Sequence, residues 1–344
     1  MSSAGTDIII PVWNNPTETR ECLAALVEHS TDFRLILLYI GSDQATEQLL
    51  QEFAEFLDTR ALLLRSENAL GFVATANRGL ARAEAPLVVV MRSCSRVTAG
   101  WLEPLREAAL RPDAGILVPD LEPVGSAASA VKASKRRANE IHHGSFSALG
   151  LTRALYHAIG GFDEGLDGDL WCLKDYTRRA DRSGFRTLCL GGPPILYREI
   201  ITYGSLERRE KILRESIATY VDRWGEERVF SAFFTAGIDR EQLGKAFAAM
   251  LSAARSGHSV FVFAPPSVFR TIQSASFHLL HDAIVVKKLS RILPRRACRI
   301  ALAQLRDRYR DVVVLTGMDC FLDYEGEKRC TLAELEKSIS TVEV

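Results

Sequence analysis

The chain has 344 residues, of which 47% are hydrophobic and 25% are charged, as in globular proteins with sizeable cores. Its 43 Lys and Arg balance 43 Asp and Glu, so the chain has no net field to recruit nucleic acid or an anionic membrane. No apolar run reaches the roughly 18 residues of a transmembrane segment, and the N-terminus lacks a signal-peptide pattern. Seven dispersed cysteines without CxxC pairs indicate reduced thiols, so we expect a cytoplasmic protein.

The first hundred residues alternate between short apolar runs and helical patterns. The predicted strands cover 7–12, 33–40, 61–64 and 86–91, and the predicted helices cover 18–28, 45–56 and 70–83. Thr17 is a candidate cap for the first of these helices. Continuous apolar strands separated by helices predict a mainly parallel sheet covered on both faces. Ligands bind beyond the carboxyl ends of such strands, so we expect the functional site at the polar crossing 92–97.

Six motifs follow one another over about residues 6–225: DIIIPVWNN, YIGS, NALGFVATANRGLARA, VTAGWLEPL, IGGFDEGL and DYTRRADRSGFR. In this order they resemble the inverting family 2 glycosyltransferases of GT-A fold. The resemblance implies an α/β fold, with a GT-A-type nucleotide-diphospho-sugar transferase domain (a mixed, mainly parallel sheet) over residues 1–226. It also implies hexosyl transfer from a nucleotide sugar to a glycan or protein acceptor, in cell-surface glycan biosynthesis.

The resemblance implies a nucleoside pocket that is lined by Pro11, Trp13 and Asn14. Asn77, on a glycine-flanked helix, would shape the floor of this pocket. Trp13 offers a ring on which a base can stack, although a loop tryptophan can also plug a sheet edge. Gly79 allows close backbone approach, which would serve either a ligand or the packing of the helix on a strand.

Tyr39 is the first departure from the family pattern. The family usually has an aspartate at the end of the second strand, where it hydrogen-bonds the uracil or ribose. A phenol can stack or hydrogen-bond, but it is bulkier and uncharged near neutral pH. Tyr39 is therefore a candidate donor-binding residue that leaves the choice of base open.

The second departure lies at the crossing, which reads Arg92-Ser93-Cys94-Ser95-Arg96. Cys94 stands where the family has the aspartate that holds a divalent cation against the donor's diphosphate. Mg²⁺ and Mn²⁺ need hard oxygen ligands, and no carboxylate lies between Glu84 and Glu103, so the usual metal site looks lost. Either Arg92 or Arg96 replaces the metal at the diphosphate, or the site has decayed and both arginines are solvated.

The third departure concerns the general base that an inverting transfer needs. The register places Cys172 and Leu173 where the family has two acids, and it leaves Asp175 as the predicted base. Asp167 and Asp169, which lie close by in sequence, could compensate. Alternatively, Asp175 caps a helix over 176–183.

The remainder of the chain carries weaker predictions. A basic loop at 125–140 could meet an anionic donor or acceptor, or it could be solvated. The alternation of strand and helix patterns over residues 227–344 predicts a smaller C-terminal α/β domain of unknown role, with three strands and as many helices. Its basic segment 287–310 could contact an acidic partner, although a solvated helix is the simpler interpretation. The alternative function is a catalytically inactive glycosyltransferase-like scaffold that binds a protein partner through this second half.

Overall fold

The computed structural model describes residues 5–41, 43–66, 71–125, 139–167, 169–198, 206–291, 293–316 and 328–340. The chain forms two compact units, one of residues 1–135 and 143–220 and the other of residues 136–142 and 221–344. The sequence-based boundary lies nearby, between residues 226 and 227. The basic loop predicted at 125–140 falls almost entirely outside the described residues.

The first unit is built on a seven-stranded sheet and a small three-stranded sheet. Their strands are β1 (Thr6–Val12), β2 (Phe33–Tyr39), β3 (Ala61–Arg65), β4 (Leu87–Val90), β5 (Ser95–Arg96), β6 (Ala114–Val118), β7 (Leu121–Pro123), β8 (Leu149–Thr152), β9 (Arg186–Cys189) and β10 (Ile195–Tyr197). The large sheet has the order β3-β2-β1-β4-β8-β6-β9, and the small sheet has the order β5-β10-β7. Only β8 runs antiparallel to its neighbours in the large sheet. The predicted mixed, mainly parallel sheet is confirmed.

Helices cover this sheet on both sides, and their starts follow local sequence rules. The helices of residues 1–224 are α1 (Pro16–His29), α2 (Gln44–Leu57), α3 (Phe72–Leu80), α4 (Glu103–Ala109), α5 (Arg153–Ile159), α6 (Leu170–Arg182) and α7 (Leu206–Trp224). The prediction that Thr17 caps α1 is wrong, because α1 already begins at Pro16 after a left-handed Asn15. Asp43 caps α2 by accepting the amide N–H of Thr46 at 2.8 Å.

Gly79 explains how α3 lies close against the sheet. A Cβ at this position would come within 2.5 Å of the Ile9 side chain in β1. By contrast, a Cβ at Gly71 would meet no atom of the described residues within 4 Å. Of the two interpretations of Gly79, the structure therefore favours helix–strand packing.

Asp7 anchors β1 through a buried ion pair. Its carboxylate, with 1% of the side chain exposed, accepts hydrogen bonds from Arg34 Nε and Nη2 at 2.8 and 2.9 Å. It also accepts the backbone N–H of Glu84 at 2.6 Å and of Ala85 at 2.9 Å. Burial alone would raise the pKa of Asp7, but Arg34 and the two amides outweigh burial, so the pKa lies below its ordinary value.

The fold should lose stability in acid through Asp7. Because the folded state lowers the pKa of this carboxyl, its contribution is complete above the unfolded pKa of about 3.9 and is lost as the pH falls below that value. Asp7→Ala should lower the free energy of unfolding at pH 7 by about 3 kcal/mol, since it removes the buried carboxylate that pairs with Arg34 and accepts two backbone amides. Urea unfolding of wild type and variant at pH 7 and pH 3 measures both effects. An equal difference in unfolding free energy between wild type and variant at pH 7 and pH 3 would contradict this account.

The second unit is a five-stranded parallel sheet with helices on both faces. Its strands are β11 (Val229–Phe233), β12 (Ser259–Ala264), β13 (Ile284–Lys288), β14 (Val312–Thr316) and β15 (Arg329–Thr331), in the order β13-β12-β11-β14-β15. Its helices are α8 (Arg240–Arg255), α9 (Pro266–Ser274), α10 (Pro294–Arg308) and α11 (Leu332–Ser340). The additional α/β region is confirmed. However, the prediction of three strands missed β11 and β15.

Alternate residues of β12 enter two separate cores, one on each face of this sheet. Val260 and Val262 pack with residues of α8, α9 and α11. Phe261 and Phe263 pack with Cys298 and other residues of α10. Helix α10 therefore lies on the opposite face of the sheet from α8 and α9. Within the described ranges, no helix combines the length and apolarity that crossing a bilayer requires.

Candidate functional site

The candidate site lies at the carboxyl edge of the central strands in the first unit. Val12 is the register partner of Tyr39 on β2, and Ile9 is the partner of Val90 on β4. The segments that follow β1 and β4 therefore leave the sheet at one edge, where ligands bind in open α/β sheets. The crossing that begins at Arg92 lies at this edge, as the sequence predicted.

The residues predicted to bind the nucleoside occupy this edge. Pro11 is buried at the end of β1, whereas Trp13 and Tyr39 are half-buried. Asn14 has a left-handed backbone (φ 52°), and its side-chain oxygen accepts the amide N–H of Asp43 at 3.1 Å. This hydrogen bond ties the segment after β1 to the start of α2. The structure thus brings Trp13 and Tyr39 to one rim, where both rings are partly open to solvent.

Asn77 holds a neighbouring loop. Its side-chain amide donates to the Phe162 carbonyl and to Glu164 Oε1, both at 2.9 Å, and accepts the Phe162 N–H at 2.9 Å. A Cβ at Gly161 would lie 2.4 Å from the Asn77 side-chain oxygen, so a side chain at this position would displace the Asn77 amide. Asn77 therefore acts in this structure as a positioning residue that joins α3 to the segment 161–164.

Arg92 faces a carboxylate at the beginning of α6. Its Nη2 atom lies 3.9 Å from Asp169 Oδ2, with 21% of the Arg92 side chain and 67% of the Asp169 side chain exposed. The guanidinium carbon lies 5.2 Å from the centroid of the Phe72 ring, at the start of α3. The backbone N–H of Arg92 donates to the Phe146 carbonyl at 2.9 Å. Arg92 and Asp169 form a pair of opposite charges that is accessible from solvent.

Arg96 has different surroundings. It pairs with Leu196 of β10 in the small sheet, and it lines a small cavity together with Cys94 and Arg198. Glu18 of α1 lines the same cavity and lies 3.8 Å from Arg198 Nη1. Burial raises the pKa of the Cys94 thiol, although the nearby charge of Arg92 opposes this shift. Cys94 is therefore an uncharged thiol near neutral pH.

The residues at the crossing do not fit the divalent cation that the family implies. The position of the expected aspartate holds a neutral thiol, which is a poor ligand for Mg²⁺ or Mn²⁺. Its neighbours Arg92 and Arg96 carry positive charge, which disfavours a second cation. Across the part of the chain that the structure describes, no three His, Cys, Asp or Glu side chains form a group able to hold a metal ion.

Asp175, the base predicted from the sequence, is fully buried inside α6. Its Oδ2 atom accepts Arg179 Nε at 2.8 Å, and Arg179 also donates to the carbonyls of Ile159 at 3.0 Å and Gly161 at 2.9 Å. The alternative prediction, that Asp175 caps a helix, is wrong because α6 already begins at Leu170. This geometry favours a positioning role and gives no support to proton transfer by Asp175.

Two further carboxylates lie near the start of α6. Asp167 accepts the amide N–H of Trp171 at 2.9 Å and of Cys172 at 3.0 Å, and its burial raises its pKa. Leu173 and Cys172, which occupy the register of the family's acids, are both buried. Asp169 is therefore the acid at the start of α6 that solvent reaches freely. From the sequence, Asp169 is expected only to compensate for the missing family acids.

Comparison with known proteins supports the fold and gives a family match over part of the chain. Part of the chain superposes on GalNAc-T7 with UDP, GalNAc and Mn²⁺ (TM-score 0.50, 12% identity, 64% of this chain and 48% of that chain), a likeness that bears on the fold alone. The chain thus spans about half the length of GalNAc-T7 and has a GT-A fold. Residues 7–162 match the model of glycosyl transferase family 2.

Other solved structures align at lower similarity. Mannosyltransferase PcManGT from Pyrobaculum calidifontis, in complex with GDP-Man and Mn²⁺, gives a TM-score of 0.48 and 16% identity over 89% of this chain and 87% of that chain. S. aureus TarS 1-349 in complex with UDP-GlcNAc gives a TM-score of 0.49 and 17% identity over 74% of this chain and 73% of that chain. No curated protein matches the chain.

Proposed function

We propose that the first unit is an inverting, nucleotide-sugar-dependent glycosyltransferase that works without a divalent metal. The observation that carries this proposal is the solvent-accessible pair Arg92 and Asp169 at the carboxyl edge of the sheet. The pair lies where the family 2 match and the GT-A fold lead us to expect the donor's diphosphate. A guanidinium can pair with phosphate oxygens bidentately, so Arg92 can supply the positive charge that a metal would otherwise provide.

In the proposed reaction, the acceptor hydroxyl oxygen attacks the anomeric carbon of the sugar from the side opposite the diphosphate. The new carbon–oxygen bond forms as the bond to the diphosphate breaks, and the electron pair of that bond stays on the phosphate oxygen. Arg92 stabilises the charge that develops there. The proton of the acceptor hydroxyl passes to Asp169 once the diphosphate has replaced Asp169 as the partner of Arg92; Asp169 takes the role of base because Asp175 is buried and paired.

The donor's nucleoside would occupy the rim formed by Pro11, Trp13, Asn14 and Tyr39. Trp13 and Tyr39 offer partly exposed rings for stacking. Because Tyr39 replaces an aspartate, recognition of the base rests on stacking and neutral hydrogen bonds. The proposal also includes a glycan or a protein as the acceptor. It places the enzyme in cell-surface glycan synthesis and in the cytoplasm.

Calorimetric titration with UDP, GDP and dTDP, each in manganese and in EDTA, tests the metal-independent donor site. We expect one nucleotide to bind saturably in EDTA, with an affinity within about tenfold of that in manganese, because Arg92 rather than a cation meets the diphosphate. Binding in manganese alone would contradict metal independence. No binding of any nucleotide would contradict the donor site itself.

The second candidate function is a catalytically inactive transferase-like scaffold. Its support is that the two positions of the family's acids are the buried Cys172 and Leu173, while Asp175 is held by Arg179. A scaffold would use residues 227–344 to bind a protein partner. Release of free nucleotide from UDP-, GDP- and dTDP-sugars separates the two functions, since a scaffold should release none above the uncatalysed rate.

A further inference from the structure

The second unit contains an unusual run of positive charge in an otherwise neutral chain. Between Asp282 and Asp307 the sequence has seven Lys and Arg and no acidic residue. Six of these basic residues are exposed around the end of β13 and the start of α10: Lys287, Lys288, Arg291, Arg295, Arg296 and Arg299. We call this region the α10 surface. Zero net charge over the whole chain therefore conceals a local positive field.

The charges of the α10 surface have no acidic partner in the part of the chain that the structure describes. None of the six forms a salt bridge with any residue in the described ranges, whereas elsewhere in this unit Lys245 pairs with Glu241 and Arg255 pairs with Glu140. Arg295 and Arg296 also lie in the first turn of α10, where the helix dipole disfavours positive charge. This arrangement costs stability and would be relieved by an anionic partner.

Two large apolar side chains lie among these charges. Leu293 is 62% exposed and Ile300 is 50% exposed. Leu293 also has a left-handed backbone (φ 54°), which is uncommon for a bulky residue. Together with Pro294, Leu293 lines an open depression whose other walls are Arg295, Arg296 and Arg299. Exposed aliphatic groups beside unpaired arginines suit a partner that is both anionic and apolar.

We propose that the α10 surface binds membranes that contain anionic lipids, without spanning them. Basic side chains would contact the headgroups while Leu293 and Ile300 enter the interface. Charge complementarity excludes the same surface of a second copy, because like charges would meet. A small phosphate ligand would leave the two aliphatic side chains in water. The inference is independent of the donor site in the first unit.

Sedimentation of the full chain with vesicles tests this proposal. We expect binding to mixed phosphatidylcholine and phosphatidylglycerol but not to phosphatidylcholine alone, and we expect it to weaken with salt. Replacing Arg295, Arg296 and Arg299 together by alanine should lower the partition coefficient between membrane and water by about a hundredfold. Each arginine is expected to contribute about fivefold. The matched control removes three exposed basic residues from α8 and α9 on the other face: Arg240, Lys245 and Arg270. This control should stay within about twofold of wild type.

A second variant separates a lipid surface from a soluble anion. Leu293→Ser with Ile300→Ser should lower vesicle binding at least about fivefold and leave binding to heparin unchanged, since both side chains are exposed and only the membrane buries them. Thermal melting should show that every variant stays folded. Equal loss in the matched control, or no effect of the serine pair on vesicle binding, would overturn the proposal. Displacement from vesicles by soluble glycerophosphoglycerol at the same phosphate concentration would assign the surface to free phosphate instead.

Discussion

Replacing Arg92 by alanine is expected to weaken nucleoside diphosphate binding in EDTA by roughly ten- to a hundredfold. Hydrogen bonds to charged groups contribute about 1.5–3 kcal/mol, and Arg92 is the cation that faces Asp169 at the sheet edge. Calorimetry with the nucleotide that wild type binds best measures the change. Arg92→Lys should recover only part of the loss, because lysine keeps the charge but not the planar fork.

Two further variants show whether the effect belongs to this arginine. Arg20, 59% exposed on α1 and paired with Glu52, is a matched control whose change to alanine should leave affinity unaltered. Arg96→Ala tests the other arginine predicted to face the diphosphate, and we expect a smaller effect because Arg96 lines the cavity beside Cys94. Unchanged affinity in Arg92→Ala would remove Arg92 from the donor site.

Much of the fold could be predicted because its strands are short, continuous apolar runs. The sequence placed β12 and α8 at their observed bounds, Ser259–Ala264 and Arg240–Arg255, where apolar pattern and caps agree. It missed β11 and β15. The three residues of β15, Arg329–Thr331, have no apolar pattern of their own and are a strand because they pair with β14. Such tertiary pairing cannot be read from local propensity.

The position of the crossing could be predicted, but the contacts of its neighbours could not. The strand pattern led to the crossing and the resemblance led to Arg92, which the structure puts at the sheet edge. Burial of Asp175 could not be predicted, because it depends on how Arg179 reaches the carbonyls of Ile159 and Gly161. The one available indication was the spacing of Asp175 and Arg179, four residues apart on a helix.

In the second unit, too, packing decides an interpretation that the sequence leaves open. The basic run at 287–310 was evident in the sequence, but a solvated helix explained it equally well. What changes that interpretation is the exposure of Leu293 and Ile300 beside unpaired arginines. Exposure of an apolar side chain is a property of packing, which the sequence of α10 alone does not determine.

Asp169→Asn and Asp175→Asn should affect different quantities. The first should lower turnover, and the second should lower stability. Removing the proposed base Asp169 should lower transfer by about 10²–10⁴-fold and change the free energy of unfolding by less than about 0.5 kcal/mol, since this side chain is 67% exposed. Asp175→Asn should instead lower the free energy of unfolding by about 3 kcal/mol, because it breaks the ion pair between the fully buried Asp175 and the partly exposed Arg179. Nucleotide release and urea unfolding measure the two quantities.

The comparison is informative because the two aspartates lie six positions apart and are changed to the same amide. If Asp175 only positions α6, its variant should retain most of its turnover well below its melting temperature, with the pH profile of turnover unchanged. Arg179→Lys, which keeps a positive charge but loses donors to Ile159 and Gly161, should destabilise the fold in the same direction. Loss of turnover in a folded Asp175→Asn variant, with Asp169→Asn active, would return the role of base to Asp175. It would also mean that the Asp175–Arg179 pair opens when substrate binds.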